Sequence, residues 1–93
     1  MAEYLVELYV SRENPDAVDV RAERARAAAD EMTEEGKAVR YLRAIFVPED
    51  ETCFFLYDAV SAEAVSEAAR RAGLSSGRIT EARRVRKGEE ACL

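Results

Sequence analysis

The stretch TCFFLYDAVSAEAVSEAARRAGL, residues 52–74, reads as a strand, a cap, a helix and a stop in direct succession. Thr52 to Asp58 is rich in aromatic and β-prone residues, which suit a pleated surface. Ser61 then offers a hydroxyl to the free amides at the start of a helix. Val65, Ala68, Ala69 and Ala72 recur at helical spacing and share one face. Gly73 reaches the left-handed conformation without a Cβ clash, and Leu74 can fold back on the last turn, the Schellman pattern.

Upstream, Pro48-Glu49-Asp50-Glu51 is a polar turn and Val39 to Val47 a second strand, so the two strands form a hairpin. Asn14-Pro15-Asp16 signals a helix start. Val18, Ala22, Ala25, Ala29 and Met32 line one face of that helix, which Gly36 ends. At the N-terminus, Glu3 to Val10 alternates: Tyr4, Val6, Leu8 and Val10 form an apolar set directed at the core, with Leu5, Glu7 and Tyr9 on the other side. Downstream, Arg78 to Val85 is the last strand. Its alternation leaves the inward residues open, and a bulge there would shift the register. The order β-α-β-β-α-β predicts an α+β, ferredoxin-like fold: a four-stranded antiparallel sheet with two helices on one face and strands one and three central. Residues 2–86 make one domain, and 87–93 read as a loose polar tail.

The composition narrows the function. A chain of 93 residues is one domain, and 48% hydrophobic residues with 35% charged ones can build a packed core. Nineteen acidic side chains against fourteen basic ones, a net charge of −5, argue against general binding of nucleic acid or an anionic membrane. No apolar run is long enough to span a bilayer, and Met1-Ala2-Glu3-Tyr4 does not read as a signal peptide. The absence of histidine removes the commonest general base and the commonest metal ligand. Cys53 and Cys92 make neither a disulfide framework nor a C-x-x-C pair, so a reduced, cytoplasmic protein is expected.

Helices cover one face of such a sheet, and the other must meet water or a partner. The alternation assigns Leu5, Glu7 and Tyr9, then Tyr41, Arg43 and Ile45, then Cys53, Phe55 and Tyr57 to the open face. That set is too apolar for a solvated surface. It predicts a homodimer packed sheet to sheet, or a ligand pocket lined by Tyr9, Tyr41, Phe55 and Tyr57, or both together. Glu7 and Arg43 are its polar members, read as a salt bridge or as ligand contacts. No phosphate loop or nucleophile elbow is present. A catalytic reading would use Glu7 as base and Arg43 to position an anionic group. Asp58 comes next but suits a strand-to-helix turn better. Aromatics on a central strand also suit RNA, yet the basic-glycine entry of that signature is missing. Residues 70–87 hold seven basic residues and one acidic one, while 49–67 hold six acidic residues and no basic one. This asymmetry suits either subunit alignment or two solvated surfaces.

Ala2 to Glu7, Thr52 to Ala59, Ser61 to Val65, Ala69 to Leu74 and Arg78 to Glu81 together resemble a family of small bacterial proteins, common in actinobacteria. That family is described as a domain of unknown function and includes a nickel-binding member. The resemblance covers most of residues 2 to 85. It implies a ferredoxin-like subunit, a homodimer and nickel as a possible cofactor. Family members often carry histidine on strand two and in the second helix. Here strand two reads Arg40-Tyr41-Leu42-Arg43-Ala44-Ile45 and the helix position is Ala68. Ni²⁺ prefers imidazole or thiolate, so Glu7 with Cys53 makes at best a partial site. The expected protein is a homodimer binding a small ligand or metal at its open face. The alternatives are a small cofactor-independent enzyme using Glu7 and a purely structural dimer.

Overall fold

The computed structural model describes residues 1–74, 77–83 and 85. The expected tail, 87–93, lies outside them. Strand β1 (Ala2–Tyr9) leads to helix α1 (Asp16–Glu34), β2 (Val39–Val47), β3 (Thr52–Ala59), α2 (Ala62–Arg71) and β4 (Arg78–Ala82). A short 3₁₀ turn, Pro48–Asp50, joins β2 to β3. The sheet runs β2-β3-β1-β4 with every pairing antiparallel, so β1 and β3 are central, as the ferredoxin-like reading requires.

Both helices end as their glycines dictate. Gly36 and Gly73 hold φ of 89° and 79°, conformations that cost a side-chain-bearing residue free energy. The Leu74 amide reaches back to the Ala69 carbonyl at 2.7 Å, and Lys37 to Met32 at 2.9 Å, completing two Schellman stops. At the start of α2, Ser61 Oγ accepts from the Ala64 amide at 3.2 Å. The first helix has no such side-chain cap; Pro15 stands at its N-cap position.

The core lies between the sheet and the helices. Ala25, Ala28, Ala29 and Met32 of α1 and Val65, Ala68 and Ala69 of α2 are buried against Tyr4, Val6 and Leu8 of β1 and Cys53, Phe55 and Tyr57 of β3. Alanine at so many inward helical positions lets the helices sit close to the large side chains of the sheet. On the outer surface Arg71 of α2 bonds Glu31 at 2.6 Å and Glu35 at 2.9 Å, both in or beside α1, and also pairs with Glu67. Lys37 reaches Glu67 at 3.1 Å. Exposed pairs contribute little singly, and here they act as a network clasping the two helices.

Two expectations about faces are overturned. Cys53, Phe55 and Tyr57, expected on the open face, point into the core at 0% exposure. The cross-strand register decides this: Leu8 lies opposite Cys53, Val6 opposite Phe55 and Tyr4 opposite Tyr57. Directly paired residues project to the same side, and β1 directs its apolar set inward. Tyr41, also expected outside, lies opposite Tyr57 and packs against the core. The irregularity anticipated in β4 sits instead in β2, between Tyr41 and Arg43, where Leu42 is the extra residue. Beyond it the faces exchange, so Arg43 and Ile45 are outside as expected, while Ala44 and Phe46 turn inward. Strand β4 pairs regularly with β1 and ends at Ala82, with Ile79 opposite Val6 on the core side.

Candidate functional site: the helix-free face of the sheet

The face without helices carries Leu5, Glu7 and Tyr9 of β1, Phe54 and Leu56 of β3, Arg43, Ile45 and Val47 of β2, and Arg78 and Thr80 of β4. Leu56 is 8% exposed yet stands outside the helix-side core cluster. Its neighbours on this face, Leu5 and Arg43 directly opposite it, supply the cover. Phe54 is half-buried between Glu7 and Ile45, and Ile45 is 47% exposed. Leu5, Leu56, Phe54, Ile45 and Val47 thus form a diagonal apolar stripe across three strands. It is contiguous and large-residued, the kind of patch that marks an interaction surface.

Charges flank the stripe. Arg43 stands exposed on one side, and Glu7 stands exposed on the other with Arg78 directly opposite it. Strand β3 runs between Arg43 and Glu7, so the salt bridge expected from the sequence does not form within one chain. Neither residue makes an ion pair among the described residues. Asp58, expected as a turn residue, lies instead within β3, paired with Glu3 on one side and Arg40 on the other. Tyr9, 67% exposed, closes the far end, its hydroxyl 3.5 Å from a Glu51 carboxylate oxygen. Glu51 holds a left-handed φ of 50° and also accepts from the Arg12 amide at 3.0 Å, which ties the loop after β1 to the hairpin.

Of the site residues expected from sequence, Glu7, Tyr9 and Arg43 share this face, while Tyr41, Phe55, Tyr57 and Cys53 lie on the opposite one. Sequence reasoning missed Phe54, Leu56 and Val47. The signal was present: Thr52, Phe54, Leu56 and Asp58 begin and end with polar residues, whereas Cys53, Phe55, Tyr57 and Ala59 are wholly apolar. The criterion that placed β1 correctly selects the second set for the core.

The helix-covered side offers less chemistry. The Tyr41 and Tyr57 rings meet edge-on with centroids 5.8 Å apart, and the buried Tyr57 hydroxyl has no hydrogen-bond partner among the described residues. Burial pushes its phenol well above the usual range, with Tyr41 adding to the effect. Burial likewise pushes the Cys53 thiol up, against a weaker pull from Arg21. A shallow cleft of about 230 Å³ opens between the helices, lined by Arg24, Ala27, Ala28, Glu31 and Arg71. Its Arg71 guanidinium is already taken by three carboxylates.

The described residues do not fit a nickel ion. Glu7 and Cys53, the candidate partial site, lie on opposite faces of the sheet. Among the described residues no three of His, Cys, Asp and Glu come together as a ligand set. Also among the described residues, no helix is long and apolar enough to cross a membrane.

No curated protein and no solved structure matches the chain. Residues 9–82, from the end of β1 through the whole of β4, match a family described as nickel responsive protein SCO4226-like. The chain belongs to that nickel responsive, SCO4226-like family.

Proposed function

We propose that the protein is a cytoplasmic, non-catalytic binding protein that works as a homodimer joined through its helix-free sheet faces, with a small ligand held between the two sheets. The observation that carries this reading is the stripe of Leu5, Leu56, Phe54, Ile45 and Val47 on a face that no helix covers. The charges beside it favour a second copy as the partner. Arg43 and Glu7 lie on opposite flanks, each without an ion pair among the described residues. A two-fold packing of stripe on stripe lets Arg43 of one protomer meet Glu7 of the other. Tyr9 and Arg43 at the margins supply a hydroxyl and a guanidinium for a ligand in any space left between the sheets. Glu7 stands on an exposed strand surface, without the apolar enclosure that makes a carboxylate a general base. The family name extends this reading to a part in the response to nickel.

Light scattering on the tag-free protein tests the proposal. The expected mass at micromolar concentration is twice the chain's 10.4 kDa. Leu56→Lys, which places a charge at the centre of the stripe, is expected to return the mass to that of one chain while leaving the far-UV circular dichroism of a folded domain. A wild-type protein that stays at 10.4 kDa at every concentration overturns the reading.

A further inference from the structure

We infer that this chain takes part in its family's nickel response without a nickel site among its described residues. The inference rests on the chain's membership of that family and is independent of the dimer. It arises because the donor chemistry and the family description disagree. Ni²⁺ is a borderline metal that binds imidazole and thiolate well and carboxylate alone poorly. The chain has no histidine. Its one thiol among the described residues, Cys53, is 0% exposed and is held protonated by burial. A thiol must lose its proton to ligate, and burial opposes that loss here.

Carboxylates remain, and basic groups oppose those that gather. Glu31, Glu35 and Glu67 converge on the helix surface, but the Arg71 guanidinium sits among them, with Lys37 beside Glu67. A dication entering there would have to displace a cation that already satisfies all three. On the sheet face Asp58 lies opposite Arg40 and Glu7 opposite Arg78 in register, so neither stands in an all-acidic surrounding. Among the described residues Glu3 and Asp58 are the one directly opposed acidic pair in the sheet.

Isothermal titration of the tag-free, chelator-stripped protein carrying Cys92→Ser with NiCl₂, paired with thermal unfolding in excess NiCl₂ and in EDTA, decides the matter. The tag must be absent because its histidines would supply the ligands the chain lacks. The expected result is no saturable heat and the same unfolding midpoint in both solutions. Weak, non-saturating uptake with an unmoved midpoint counts with that result, as ion condensation on an acidic surface. Saturable binding at a fixed ratio per chain or per dimer overturns the inference. Under a hundredfold excess over Kd it would also raise the midpoint by roughly 10 °C or more. Light scattering on the same sample keeps the two readings apart. A dimer that binds nickel refutes this inference alone, and a monomer that does not refutes only the dimer.

Discussion

The two faces of the sheet are built from the same strands and differ in what finishes them. On the helix side, Cys53, Phe55 and Tyr57 are sealed by two alanine-lined helices. On the other side, Leu56 is buried only by its own neighbours while Ile45 remains 47% exposed. Among the described residues the covered face carries no charged side chain in its core. The bare face carries Glu7, Arg43 and Arg78 around an apolar stripe. A core excludes charge because desolvation penalises it, whereas an interface keeps charge at its rim to set orientation. The bare face therefore has the make-up of an interface and the covered face that of a core.

Adjacent phenylalanines offer the widest break between them. Phe55→Ala removes a fully buried ring and is expected to cost about 3–5 kcal/mol in denaturant unfolding. Phe54→Ala, one residue away on the bare face, should cost the isolated chain much less and act mainly on association. Equal losses of stability from both, with association untouched, would erase the distinction between the faces.

Charge reversal across the proposed two-fold comes next. Arg43→Glu places two carboxylates where one pair was attractive, and should weaken dimerisation at least tenfold in sedimentation equilibrium. Glu7→Arg should do the same. The double variant should recover most of the loss, since the pairing is restored with its sign reversed. Additive losses would place Arg43 and Glu7 apart in the assembly.

The dry side is sharpened by its one polar flaw. Tyr57→Phe deletes a buried hydroxyl that has no partner among the described residues, so it should be neutral or stabilising by up to about 1 kcal/mol. The same group has a pH signature. Its folded phenol is held protonated well above the usual value of 10.0, so the unfolded chain loses that proton first as pH rises. Stability should fall above about pH 10, and less steeply in Tyr57→Phe. A destabilised Tyr57→Phe would reveal a partner for the hydroxyl.

The smallest effect belongs to the helix clasp. The Arg71 guanidinium holds Glu35 and Glu67 below their ordinary 4.5, with Lys37 contributing most at Glu67. Carboxylates with depressed folded values stabilise above the ordinary value and lose that contribution as pH falls through the folded one. The gap in unfolding midpoint between wild type and Arg71→Gln should be present at neutral pH, close in acid, and shrink with added salt. A gap independent of both would mean that Arg71 acts through packing alone.

Element order, strand centrality and both glycine stops were legible in the sequence because each rests on local chemistry: capping, left-handed glycine and helical spacing. β1 was legible for a further reason, since one alternate set is wholly apolar and the other holds Glu7. β3 was harder. Phe54 and Leu56 are as apolar as Phe55 and Tyr57, so hydrophobicity at the strand centre does not choose a face, and its polar ends had to be weighed instead. β2 turned on Leu42, an extra residue that exchanges faces between Tyr41 and Arg43 and has no glycine or proline to announce it. The candidate site inherited both ambiguities. Glu7, Tyr9 and Arg43 were placed rightly, and the apolar stripe between them was assigned to the wrong alternate set of β3.

Hydroxyl-radical labelling across a dilution series tests the central claim most directly. If the bare face is the interface, Phe54 and Ile45 are protected at high concentration and become labelled on dilution, while Phe55 and Tyr57 stay unlabelled throughout. Labelling of Phe54 and Ile45 that is strong and independent of concentration would contradict it, leaving the bare face as nothing more than surface.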